Sequence, residues 1–124
     1  MKWVSASEVI AIHDRILQTL PGVPGMPDSG RADAIIHRVQ NQLHYEITTD
    51  LFELAATYWV AISRGHIFVD GNKRTAFFVT MLFLTRNGVA VKDEGTILED
   101  LTVRAATGEL STEYLAESLR SLSY

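Results

Sequence analysis

The chain has no cysteine among its 124 residues. It therefore forms no disulfide and offers no thiolate to a metal, which agrees with the reducing cytoplasm where it is expected to work. Proline is scarce as well: all three, Pro21, Pro24 and Pro27, fall in one short stretch, so helices are free to form elsewhere. There is no large excess of either charge. A net charge of −4 creates no global field that would draw in DNA or RNA, and no direct nucleic-acid partner is expected. Long apolar runs are missing too. The most apolar stretch, residues 76–84, is far too short to cross a bilayer. The first eight residues lack the apolar core of a signal peptide, so no membrane partner is expected. Apolar side chains in total are plentiful, at 47%, enough for the core of one domain spanning residues 1–124.

Periodicity predicts helices. Ser5 or Ser7 caps a first helix running to about Leu20, with Val9, Ile12, Ile16 and Leu20 on one face. Residues 21–27 cannot be helical and form a loop. Asp28 or Ser29 opens a second helix with Ala32, Ile35, Ile36, Val39 and Leu43 buried. Thr48 or Thr49 opens a third, carried by Leu51, Leu54, Ala55, Tyr58, Trp59 and Ile62. Gly65 is expected to end it in a left-handed cap. A fourth helix starts near Asn72, buried on all sides, and stops at Asn87-Gly88. Residues 89–91 form a short extended piece. Ile97, Leu98, Leu101 and Ala105 mark a fifth helix that breaks at Thr107-Gly108, and Ser111 caps a sixth with Leu115, Leu119 and Leu122 buried. The fold class is all-α: about six helices around a buried central helix, the fourth.

The chemistry concentrates in His66-Ile67-Phe68-Val69-Asp70-Gly71-Asn72-Lys73-Arg74-Thr75. A helix that begins at Asn72 has free N–H groups in its first turn, and with its dipole these make an anion site. Gly71 lets the chain turn into that helix and lets a phosphate approach the backbone. Lys73 and Arg74 bring positive charge to the end where the dipole disfavours it, a local conflict of the kind found at functional sites. Asp70 suits Mg²⁺, which takes one or two carboxylates plus phosphate oxygens. Histidine as a residue type titrates near neutrality, so His66 suits a general base. Each residue also has an ordinary reading: Asp70-Gly71-Asn72 as a turn with Asp70 as its cap, His66 as a hydrogen-bonded loop residue, Phe68 as a core anchor, and Lys73 and Arg74 as solvated surface.

Together, these residues resemble the signature of the Fic/Doc family, His-Pro-Phe-x-Asp/Glu-Gly-Asn-Gly-Arg-x-x-Arg. His66, Phe68, Asp70, Gly71, Asn72 and Arg74 agree with its fixed positions. At about 5% per position, chance agreement somewhere in such a chain is on the order of 10⁻⁶. Gly30-Arg31-Ala32-Asp33 is similar, more loosely, to another family segment, and the resemblance, closest to the small Doc (death-on-curing) toxins, extends over the whole chain. It implies the Fic fold and a cytoplasmic toxin that uses ATP and Mg²⁺. His66 would activate a hydroxyl on a target protein, and Asp70 would hold the Mg²⁺ or help orient that hydroxyl. Gly71, Asn72, Lys73 and Arg74 would grip the phosphates. Arg64 also faces the site, or is simply a cation at a helix C-terminus. Glu53 and His13 are read as surface or structural. The loop 21–27 is either the edge where a target peptide docks or a plain connector.

Three positions depart from the family pattern. Ile67 replaces a proline, Lys73 the anion-hole glycine, and Phe77 the second arginine. The Doc branch shares these departures. The resemblance therefore implies transfer of the ATP γ-phosphate to a threonine of elongation factor Tu, which arrests translation. Transfer of AMP is the alternative within the family, and a non-enzymatic partner-binding module the alternative outside it. The family's inhibitory Ser/Thr-x-x-x-Glu-Gly/Asn segment is missing, since Ala90 precedes Glu94-Gly95. Restraint is then expected from a separate Phd-like antitoxin whose C-terminal segment folds into a groove.

Overall fold

The computed structural model describes residues 2–44, 50–92 and 97–124. These form α1 (Ala6–Thr19), α2 (Arg31–His44), α3 (Leu51–Arg64), α4 (Asn72–Arg86), α5 (Ile97–Thr107) and α6 (Thr112–Leu122). The all-α expectation is borne out. Among the described residues, extended structure is limited to one isolated bridge between Val91 and Ser123.

Local cap chemistry sets the starts of α1, α3 and α6. Ser5 and Glu8 form a reciprocal capping box, in which the Glu8 N–H donates to Ser5 Oγ at 3.2 Å and the Ser5 N–H donates to Glu8 Oε1 at 3.1 Å. Ser111 Oγ accepts from the Tyr114 N–H. Asp50 caps α3, accepting from the N–H groups of Phe52 and Glu53. The caps expected at Thr48 or Thr49 lie outside the described residues, as do the side chains of Leu43 and Ile97. Leu20, expected on the buried face of α1, is 42% exposed because α1 ends at Thr19 and the chain turns outward there.

The hub is α3, not α4. It packs against α2, α4, α5 and α6, whereas α4 meets α1, α3 and α5. Leu54, Tyr58, Trp59 and Ile62 of α3 are fully buried, and the Tyr58 hydroxyl donates to the Val4 carbonyl at 3.1 Å, pinning the segment before α1. Burial holds that phenol up at about 12. α4 has two kinds of face. Ala76, Val79, Thr80 and Phe83 are buried against α3, while Phe78 is 48% exposed and Phe77, Met81 and Leu82 are only partly covered. Its expected burial on all sides therefore fails: with three helical neighbours, one flank faces outward.

Candidate active site

The motif loop joins the C-terminal end of α3 to the N-terminal end of α4. The expected left-handed cap at Gly65 is not there: Gly65 has φ −81° and ψ −7°. The left-handed step falls one residue later, on His66, whose φ of 51° is the sole positive value at a non-glycine among the described residues. Gly65 is glycine for space instead. A Cβ there would sit 2.3 Å from Ile35 Cδ1 and 2.4 Å from the Ala61 carbonyl oxygen. Ile67 and Phe68 then plunge into the core, and the chain re-emerges at Val69 and Asp70.

Gly71, with φ 83°, is the N-cap of α4 and supplies no side chain to its free amides. The first amide of this turn with a backbone partner is that of Thr75, which donates to the Gly71 carbonyl at 3.0 Å. The N–H groups of Asn72, Lys73 and Arg74 are left without an acceptor among the described residues, as an anion site requires. They border a cleft of about 480 Å³. His66, Asp70, Gly71, Asn72, Lys73 and Arg74 all line it, so six of the seven expected site residues meet in one place. Arg64 does not line it. Its guanidinium lies against Gly108 at the end of α5.

The side chains are not all free. Asn72 Oδ1 accepts from the Phe68 N–H at 3.1 Å and Nδ2 donates to the Phe68 carbonyl at 2.8 Å. Its carboxamide, expected on the phosphates, thus holds the loop instead, and only its backbone N–H is open to an anion. Asp70 Oδ2 accepts from the Val23 N–H at 3.1 Å and Oδ1 from the Gly71 N–H at 2.8 Å. These two bonds, Val23's first, with the charge of Arg74 adding less, hold its carboxyl below the usual carboxylate range. Asp70 is therefore ionised, with lone pairs to spare for a cation. The Val69 N–H donates to the Gly25 carbonyl at 3.0 Å and Arg74 Nη1 to the Pro21 carbonyl at 3.4 Å. Loop 21–27 is thereby tied to the motif along its length. The imidazole of His66 and the ammonium of Lys73 are exposed and make no hydrogen bond to a described residue.

Two residues were not expected here. His13 is 2% exposed, not a surface residue. Its ring stacks on Phe68 at 3.6 Å and 2°, Nε2 donates to the Asp70 carbonyl at 2.7 Å, and Nδ1 faces Asp14 Oδ1 at 3.3 Å. Its place on the Val9–Ile16 stripe of α1 was the available signal. Arg31, at the start of α2, donates from Nη1 to the His66 carbonyl at 2.9 Å. Glu53 lies in the first turn of α3, away from the cleft.

A helical domain whose inter-helix loop presents a histidine beside an open helix N-terminus is the arrangement of the Fic/DOC family. Residues 3–84 match that family, and the chain belongs to it. The chain is 56% identical to "Protein kinase doc" of Escherichia phage P1 over 122 residues, covering 98% of this chain and 96% of that protein. It is 33% identical to "Toxin Doc" of Mycolicibacterium smegmatis over 95 residues, 74% of this chain and 73% of that one.

Proposed function

We propose that this chain is a Doc-type toxin that acts as a protein kinase, transferring the γ-phosphate of ATP to a threonine hydroxyl of elongation factor Tu. The observation that carries this reading is the meeting, in one cleft, of a free imidazole at His66 and three open amides at the start of α4. The identity to a protein kinase along nearly the whole chain supports it.

The chemistry needs few groups. His66 takes the proton of the target hydroxyl as its oxygen attacks the γ-phosphorus. The bond from that phosphorus to the β–γ bridging oxygen breaks, and ADP leaves with the pair of electrons. The amides of Asn72, Lys73 and Arg74, with the side chains of Lys73 and Arg74, hold the phosphate oxygens. Asp70, ionised and exposed, is the residue suited to Mg²⁺, which would neutralise phosphate charge there. Phe77 is packed edge-on against Phe78 at 5.4 Å and lies outside the cleft. No second arginine clamps the phosphates from that position, which favours phosphate over AMP transfer.

The partner that restrains the toxin is an antitoxin whose C-terminal segment folds as an amphipathic helix. An apolar groove of about 420 Å³ between α1 and α4 suits it, with Ile12, Ile16, Leu20, Phe78 and Leu82 along the walls and Arg15 beside them. Among the described residues no helix is long and apolar enough to cross a membrane. Intact mass spectrometry of elongation factor Tu incubated with the protein, ATP and Mg²⁺ tests the reaction. One added phosphate is the expected result. An added AMP would overturn the direction of transfer, and an unchanged mass would overturn the target.

A further inference from the structure

The loop that carries His66 and Asp70 holds an unfavourable backbone conformation, and two side chains from distant elements fasten its ends. A histidine at φ 51° is strained, and such strain persists only where the surroundings over-determine it. Arg31, 35 residues away in sequence, donates to the carbonyl of that same residue. His13, 57 residues from its partner, donates to the carbonyl of Asp70. A carbonyl can only accept, so Nε2 of the His13 ring carries a proton in this contact. The ring lies flat on Phe68, midway along the loop. Gly71 fits beneath it, since a Cβ there would come within 3.3 Å of His13 Cδ2.

We infer that His13 and Arg31 are positioning residues for the phosphotransfer proposed above: they hold the carbonyls of His66 and Asp70, and so set where the base and the carboxylate stand relative to the amides of α4. Neither lines the cleft, so both act through the loop. A loop released at either end still closes the same helices, but the imidazole no longer stands where a hydroxyl would meet it. Misplacement on the order of 1 Å is enough to slow a reaction severely.

Paired substitutions separate this role from packing. His13→Phe keeps a ring on Phe68 and removes the donor, whereas His13→Gln keeps an N–H donor and removes the ring. Arg31→Met removes the donor, and Arg31→Lys keeps one. The readouts are kcat and KM for ATP in phosphate transfer, and hydrogen exchange at the amides of residues 66–71 in the full chain without nucleotide. Expected is a fall in kcat of about tenfold or more in His13→Phe and Arg31→Met, with KM for ATP little changed and loop exchange accelerated. Recovery of most of the loss is expected in His13→Gln and Arg31→Lys. The inference is overturned if His13→Phe is as active as the unmodified protein while His13→Gln is not, or if loop exchange is the same in all four. Should His13→Phe fail to fold, the Arg31 pair, on an exposed side chain, decides alone. If the unmodified protein transfers no phosphate, the proposed function fails, and the exchange rates still test the two contacts.

Discussion

The carboxamide of Asn72 closes a ring on the backbone of Phe68, accepting from its N–H at 3.1 Å and donating to its carbonyl at 2.8 Å. Both polar groups of a residue that enters the core are thereby satisfied four residues before the helix begins. An aspartate at the same place could accept but not donate, and would leave the Phe68 carbonyl facing a negative charge. Asn72→Asp should therefore cost about 1–3 kcal/mol of stability, the range for an unpaired buried group, and should also lower phosphate transfer. Urea denaturation measures the first effect. A variant as stable as the parent would mean that the ring contributes nothing.

The conformation of His66 separates stability from activity. At φ 51° an alanine meets the Cβ clash of the left-handed region, which costs roughly 1–2 kcal/mol, while glycine does not. Both His66→Ala and His66→Gly should lose toxicity on expression while keeping their helical circular dichroism. His66→Gly should be the more stable of the two by about 1 kcal/mol. Full toxicity in either folded variant would remove His66 from the chemistry. A higher melting temperature for His66→Ala would show that the backbone there is not strained.

What could be read from the sequence was what is decided locally. Ser5 and Ser111 cap helices because the hydroxyl and the amides it serves are within three residues. The motif residues meet because they are consecutive. Gly65 misled because its role is set by the space between the Ala61 carbonyl and Ile35, the latter 30 positions away, and packing outranked the usual cap preference. The apolar run of α4 looked buried all round because composition cannot show how many neighbours a helix will have. For His13, read as surface or structural, the structural alternative holds, but its contact with Asp70 spans 57 residues, and the stripe position that marks it as buried does not name that partner. That the Asn72 carboxamide is taken up by Phe68, leaving its N–H for an anion, is invisible until the turn is built.

The groove between α1 and α4 gives a prediction independent of catalysis. Phe78 is 48% exposed on one of its walls and Arg15 lies beside it. A carboxylate placed in the groove would have to be desolvated under the apolar side of a docked helix. Phe78→Glu should weaken antitoxin binding by about tenfold or more, equivalent to about 1.4 kcal/mol, and leave phosphate transfer unchanged. Isothermal titration with the antitoxin's C-terminal peptide measures this. Unchanged affinity would place the antitoxin elsewhere.

Lys73 stands where a glycine would leave the anion site open, and its ammonium is exposed at the cleft. If it grips the transferred phosphate, Lys73→Gly should reduce transfer by about tenfold, in keeping with the loss of one charge-assisted contact. The mass added to the target is the second readout. A switch from phosphate to AMP in this variant would mean that the side chain sets the direction in which ATP lies. Unchanged kinetics would remove Lys73 from the site.

Acid stability should depend on the far end of α1. The guanidinium of Arg86 holds Glu8, with Arg86 Nη1 donating to Glu8 Oε1 at 2.9 Å and to the Trp3 carbonyl at 3.0 Å. The Arg86 hydrogen bond, then that from the Ser5 N–H, brings the Glu8 carboxyl from 4.5 down to about 2. A depressed folded-state value stabilises the fold above the unfolded value. Here that contribution is whole above about pH 4.5 and is lost as pH falls toward 2. The side chain is 37% exposed, so solvent screening leaves about 1 kcal/mol of the roughly 3 kcal/mol that the full shift would represent. Glu8→Gln keeps the Oε1 acceptor of the capping box and removes the charge, together with the Oε2 acceptor that serves Arg86 Nη2. It should be about 1 kcal/mol less stable than the parent near pH 7 and nearly equal to it near pH 2.5, by urea denaturation at both values. A gap of the same size at both would mean that the pair contributes through packing rather than charge.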